Sequence, residues 1–132
     1  MFSKLSIYLP SIILGIMLFF SFIVAPIVFT TLDEENARKF IRRIFPYYYN
    51  VNLGISLFIL LILLFTNNFE IKFYLILVVA ILFVISNYLL MPMINKYRDE
   101  NQDKKFKYSH AISVIFNFIQ ILILVVIMFR YN

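Results

Sequence analysis

The sequence predicts an all-α membrane protein: a four-transmembrane-helix bundle with a short amphipathic helix in the first cytoplasmic loop. Three observations carry that expectation. Hydrophobic residues make up 63% of the 132-residue chain and charged residues 14%, against about 45–50% and about 25% in soluble domains. A chain this short has too little interior to hide so much apolar surface from water. Four stretches reach the roughly 20 apolar residues that a bilayer-crossing helix needs at about 1.5 Å of rise each. Nine of the twelve Lys and Arg residues lie in two of the connections between those stretches.

The first span is expected over residues 6–29 and the second over 47–66. The third is expected over 71–91 and the fourth over 109–129, all within one domain covering residues 1–132. Asp, Glu, Lys and Arg are absent from the interiors of these stretches, as the insertion cost of about 2.5–3.5 kcal/mol for such a residue at a helix centre requires. Ile and Val are frequent, yet lipid forces each span to close its own backbone hydrogen bonds, and the runs lack the alternating polarity of a barrel strand. Lys4 followed by an apolar run resembles a signal peptide. That run outlasts a typical h-region and Val24-Ala25-Pro26 offers no A-x-A site, so the first span is expected to be retained.

Orientation follows from the basic residues. The connection between spans one and two carries Arg38, Lys39, Arg42 and Arg43; that between three and four carries Lys96, Arg98, Lys104, Lys105 and Lys107. Only Lys4, Lys72 and Arg130 lie on the other side. The positive-inside bias therefore places both charged loops in the cytoplasm and both termini outside, in a bacterial inner membrane. The net charge of +5 flanks apolar spans instead of forming a basic module, so lipid headgroups are the expected partner and nucleic acid is not.

Within the first charged connection, Ala37, Phe40, Ile41, Ile44 and Phe45 recur at three–four spacing, the mark of an amphipathic helix at the interface. Thr31 and Glu34 have capping-box spacing, and Glu34–Arg38 and Glu35–Lys39 are favourable i,i+4 pairs. Pro46 then suits the first turn of span two.

Polar side chains inside the spans cluster toward the charged side. They are Asn50, Asn52 and Ser56 in span two, Ser86 and Asn87 in span three, and His110, Ser113, Asn117 and Gln120 in span four. At 100° per residue the last four fall within an arc of about 80°. A polar stripe facing lipid is costly, so it should face other helices or a wet cavity. Ser11, Gly15, Ser21 and Ala25 give span one a face of small residues within about 120°, suited to close helix approach. Two readings stay open: interhelical glue, or a cytoplasm-facing pocket. The candidate pocket or polar centre comprises Asn50, Asn52, Asn87, His110, Ser113, Asn117 and Gln120.

Catalytic chemistry has no visible basis, for no embedded carboxylate, Ser-His-Asp set or phosphate loop is present. Cys is absent, which removes thiolate ligands and cysteine nucleophiles. His110 is the single histidine. With Met91 and Met93 at the same depth it offers a weak copper or haem site, and no cofactor is expected.

Several short motifs in order resemble a known family. They are Phe22-Ile-Val-Ala25-Pro26, Phe45-Pro46-Tyr47-Tyr48, Asn87 through Pro92, Arg98-Asp99, and Phe106 followed by His110, Ser113 and Asn117. Together they are similar to the domain of unknown function 4149 family, the transmembrane protein 205-like small membrane proteins. The resemblance covers nearly the whole chain and implies a four-helix membrane protein with Pro26, Pro46, Pro92, Arg98 and Asp99 as landmarks. It implies no mechanism. A more distant likeness to copper-resistance and haem-binding helical membrane proteins keeps the cofactor alternative in view, although their multiple histidines are missing.

Three functions follow as expectations. The first is transport or small-ligand binding through the polar pocket by a homo-oligomer. The second is a structural membrane subunit or assembly factor docked to a larger membrane partner. The third is a haem or metal protein using His110.

Overall fold

The computed structural model describes residues 1–131, and among these every regular element is helical. Four helices are long and apolar enough to cross a membrane: α1 (Phe2–Thr31), α2 (Glu34–Phe65), α3 (Ile71–Asp99) and α4 (Asp103–Tyr131). They run up-down-up-down. The sequential neighbours pack together, and α1 and α4 also pack on each other. Large apolar side chains such as Phe22, Phe58, Leu61 and Phe118 stand on the outside. Water would not tolerate that much exposed apolar surface on a monomer, whereas lipid does. The chain is an integral membrane protein.

Short connections force the antiparallel order. Only Leu32 and Asp33 separate α1 from α2. The other two turns share one design. Asn67 and Asn101 adopt left-handed φ values of 50° and 54°. The amides of Asn68 and Gln102 reach back to the carbonyls of Leu63 and Tyr97, at 2.9 Å in both. These are Schellman caps, with asparagine in the position usually given to glycine.

The amphipathic segment expected in the first connection is helical, and it forms the opening turns of α2 instead of a separate element. Pro46 accordingly lies inside α2 and not in the first turn of a helix. Its ring removes the donor for the Arg42 carbonyl, yet residues on both sides stay helical because the packed face runs through it. Ala37, Tyr48, Tyr49, Asn52 and Ser56 are buried along that face. The expected capping box does not form, since Thr31 still belongs to α1 and Asp33 is the residue before α2. The pairs Glu34–Arg38 and Glu35–Lys39 do form, at 3.1 Å and 2.9 Å.

Two other prolines reshape their helices. Phe20–Val24 and Ser86–Leu90 are single wide turns that end two residues before Pro26 and Pro92. The Ala25 amide bonds the Phe20 carbonyl, and the Met91 amide bonds the Ser86 carbonyl, each five residues back. A π turn of this kind relieves the clash a proline ring makes with the preceding turn.

The core occupies the half of the bundle away from the charged loops. Ile13 and Met17 of α1 meet Ile59 and Leu63 of α2, Ile76, Val79 and Phe83 of α3, and Leu124 and Ile127 of α4. The small-residue face expected to bring α1 close to a neighbour does so only in part: Ser21 meets Asn117 of α4 at 3.1 Å, while Gly15 lies off the packed face. Gly15 is exposed, and a Cβ added there would meet nothing within 4 Å. Large side chains at three–four spacing, Pro10, Ile13, Leu14 and Met17, make the contact instead.

Candidate functional site

The charged half of the bundle is hollow where the other half is packed. Helices α1 and α4 pack together along Phe2–Phe19, whereas Ala25–Thr31 of α1 lean on α2. The gap between them opens a cavity of about 490 Å³, within the about 300–1,000 Å³ range of small-molecule sites. All four helices line it.

Helix α2 supplies the floor. Glu34, Arg38 and Arg42 follow one another at four-residue steps, and Ile41, Phe45, Tyr48 and Tyr49 continue the face inward. The Arg38 guanidinium donates to Glu34 at 3.1 Å, and Arg98 from α3 donates to the same carboxylate oxygen at 2.6 Å. Arg42 grips Asp99 through two hydrogen bonds of 2.6 Å and 3.1 Å, and also donates to the Asn95 carbonyl at 3.3 Å. Those bonds hold the Asp99 carboxyl below the usual aspartate range. The Nε–H groups of Arg38 and Arg42 are both shut off from solvent and have no hydrogen-bond partner.

One wall carries aromatic rings. Arg98 lies over the Phe106 ring at 4.9 Å, and the His110 ring stacks on Phe106 with centroids 5.8 Å apart. Deeper in, Phe20 stacks on Tyr48 at 4.4 Å and Phe45 on Tyr49 at 5.5 Å.

A three-helix hydrogen-bond chain closes the deep end. Tyr48 donates its hydroxyl to the Asn117 side-chain oxygen at 3.1 Å, and the Asn117 amide donates to Ser21 Oγ at 3.1 Å. Asn117 lies fourteen residues into α4, about 21 Å along its axis. The site is thus a basic mouth, aromatic walls and a neutral polar base.

The seven polar residues singled out from sequence separate into three places. His110, Ser113 and Asn117 line the cavity. Gln120 and Asn52 are buried below it. Gln120 donates to the Val79 carbonyl at 3.0 Å and Asn52 to the Tyr48 carbonyl at 2.9 Å, while Asn52 Oδ1 has no partner. Asn50 and Asn87 bond each other at 3.0 Å, joined by Tyr88 at 3.4 Å, on an outward face between α2 and α3. Asn50 was singled out by its depth in the span; two residues from both Tyr48 and Asn52, about 200° around the helix, it points away from their face.

Met91 lines the cavity with His110, but Met93 faces the opposite side beside Tyr97 and Tyr108. Among the described residues no three His, Asp or Glu side chains converge on one point. Of the landmark residues, Arg98 lines the cavity and Asp99 braces Arg42, while Pro26 and Pro92 follow the two π turns and Pro46 lies beneath the Arg42 carbonyl. Sequence reasoning missed Glu34, Arg38 and Arg42 as site residues. Their i,i+4,i+8 spacing was the available signal, and it reads equally well as pairing along one helix.

Four spanning helices, packed in one half and parted around a cavity in the other, define a small integral membrane protein. The chain belongs to a family known by its sequences: residues 8–103 match the family described as "Domain of unknown function (DUF4149)". The match spans α1 to α3, so Phe106, His110, Ser113 and Asn117 of α4 lie beyond it. The chain is also 29% identical over 116 residues to a protein from Aquifex aeolicus (strain VF5) described as "Uncharacterized protein", covering 86% of this chain and 84% of that one. No solved structure matches.

Proposed function

We propose that this protein binds a small ligand, and carries it, through the cavity at the charged end of the bundle, with that end facing the cytoplasm of a bacterial cell and both termini outside. The cavity carries this reading. Four helices that pack tightly in one half leave about 490 Å³ in the other, lined by guanidinium, imidazole, amide and hydroxyl groups. Packing interiors rarely leave such a space without use, and polar groups at this depth in a membrane mark a ligand path by default. Nine basic residues in the two connections at this end support the orientation.

The natural chain has no cysteine, which makes a direct test simple. Ser113→Cys at the cavity wall and Glu35→Cys at the mouth are each treated with a membrane-impermeant maleimide. Both are expected to react in inverted membrane vesicles and neither in intact cells. Reaction of Glu35→Cys from outside would reverse the orientation. Failure of Ser113→Cys to react from either side, with Glu35→Cys reacting, would mean a sealed cavity and would end the binding reading.

One observation favours a second reading, a structural subunit or assembly factor. Asn50, Asn87 and Tyr88 form a hydrogen-bonded polar patch on an outward surface, about seven residues beyond Arg43 and so about 10 Å into the span. Polar groups facing lipid are costly, and docking of another helix, from a second copy or a larger protein, would relieve the cost. Loss of a specific copurifying partner or of the oligomer on Asn50→Leu, with maleimide reaction at Ser113→Cys unchanged, would favour that reading.

A further inference from the structure

From the distribution of charge and apolar surface around the cavity, and granting that it is a binding site, we infer that its ligand is a monoanionic amphiphile: a carboxylate or phosphodiester head on an alkyl chain. The head lies between Arg38 and Arg98, and the chain runs along Phe29 and Val114 toward the bilayer.

Charge sets the sign and size of the head. Three guanidinium groups, Arg38, Arg42 and Arg98, meet two carboxylates, Glu34 and Asp99. Arg42 is matched by Asp99 in a two-bond grip, whereas Arg38 and Arg98 share the single carboxylate of Glu34. One positive charge is left, and a monoanion neutralises it. The fork of a guanidinium suits the two oxygens of a carboxylate or phosphodiester.

The walls set the rest of the molecule. Beyond the mouth the lining is mainly Phe20, Phe29, Phe45, Met91 and Val114, which gives a bare inorganic anion little to contact. Phe29 and Val114 are 64% and 53% exposed on the outer surface while also lining the cavity. They stand on either side of the gap where α1 and α4 part. An alkyl chain can therefore pass from lipid into the cavity with no polar group in its way, while its head stays at the depth of the arginines.

The test uses full-length protein, delipidated in a nonionic detergent, with binding read by native mass spectrometry. The probes are dodecanoate, 1-dodecanol and a lysophosphatidylglycerol of the same chain length. Both anions are expected to bind one per chain, roughly tenfold or more tighter than the alcohol. Arg38→Gln or Arg98→Gln should remove that preference. Glu34→Gln, which withdraws the competing carboxylate, should tighten both anions several-fold and leave the alcohol unchanged. A gain in affinity cannot come from misfolding. Preference for dodecanoate would name a free acid arriving from water as the source, and preference for the phosphodiester would name a membrane lipid.

Equal binding of alcohol and anions, unmoved by Glu34→Gln and blocked by the cavity-filling Ser113→Phe, would overturn the anionic head and leave the binding site standing. Binding of all three that ignores Ser113→Phe would overturn both.

Discussion

Asn117 is the one residue that ties three helices together at the base of the cavity, and its removal has a magnitude that can be worked out. Asn117→Leu deletes the acceptor for Tyr48 and the donor to Ser21. Interhelical hydrogen bonds in membranes average about 0.6 kcal/mol, so two of them come to about 1.2 kcal/mol. A buried hydroxyl left without a partner costs about 1–3 kcal/mol. Tyr48 is buried but borders the cavity, where water can replace Asn117, which keeps the penalty at the low end. The expected loss is about 1–2 kcal/mol, read as unfolding in mixed micelles titrated with a denaturing detergent. Tyr48→Phe and Ser21→Ala should each lose about half as much, and the Tyr48→Phe/Asn117→Leu cycle should show coupling near 0.6 kcal/mol. Gln120→Leu supplies the contrast. Gln120 is 1% exposed and bonds only a carbonyl, so an apolar isostere there should cost under about 1 kcal/mol. Additive effects of Tyr48→Phe and Asn117→Leu, with no coupling, would refute the hydrogen-bonded chain.

Three more outcomes follow from other parts of the bundle. Gly15→Ala should stabilise by about 0.5–1 kcal/mol, since a methyl there meets nothing and alanine favours helix; a loss in the same detergent titration would mean that α1 packs through its small-residue face. Asn101→Val should destabilise by about 1–2 kcal/mol because a β-branched residue resists the left-handed conformation at φ 54°, and Asn101→Gly in the same assay should not. The Arg42–Asp99 grip should respond to acid. Because Arg42 holds the Asp99 carboxyl below its ordinary value, the contribution is full above about pH 4 and is lost as pH falls through the lowered value. Amide exchange at the mouth, measured through Asn95–Asp99, should therefore rise only in acid, and Asp99→Asn should raise it at neutral pH; exchange unaffected by Asp99→Asn would contradict the grip.

The four spans were legible because apolar length is a local property that one helix needs whatever its neighbours do. The Glu34–Arg38 and Glu35–Lys39 pairs were legible for the same reason. What escaped was everything that depends on a second helix. Arg42 reads as one more basic residue of a topogenic loop until α3 brings Asp99 beside it, fifty-seven positions away. Pro46 reads as a helix start because proline fits a first turn best, and nothing local reveals that α2 stays helical through it with Tyr48, Tyr49 and Asn52 buried beyond. Gly15 belongs to a small-residue stripe that is real in projection, but Ile13 and Met17 outbid it for the interface. Asn117, by contrast, could be placed in a buried polar stripe from spacing alone, because an amide so deep in a span has few places to go.

The wide turns before Pro26 and Pro92 have a consequence for how this sequence can vary. Each takes up about one residue more than an α turn, so each amounts to an inserted residue accommodated without breaking the helix. Regularising the turn Phe20–Val24 at unchanged length would rotate Ala25–Thr31 by about 100° relative to the rest, swinging Phe29 off the cavity wall. Losing one residue there would instead return α1 to regular geometry with that wall in place. A homologue one residue shorter there would keep its four spans and this wall, while one of equal length with a regular helix would keep the spans and lose the wall. Chain length between Met17 and Pro26, counted in an alignment, therefore separates relatives that need the wide turn to place the chamber wall from those that place it with a regular helix.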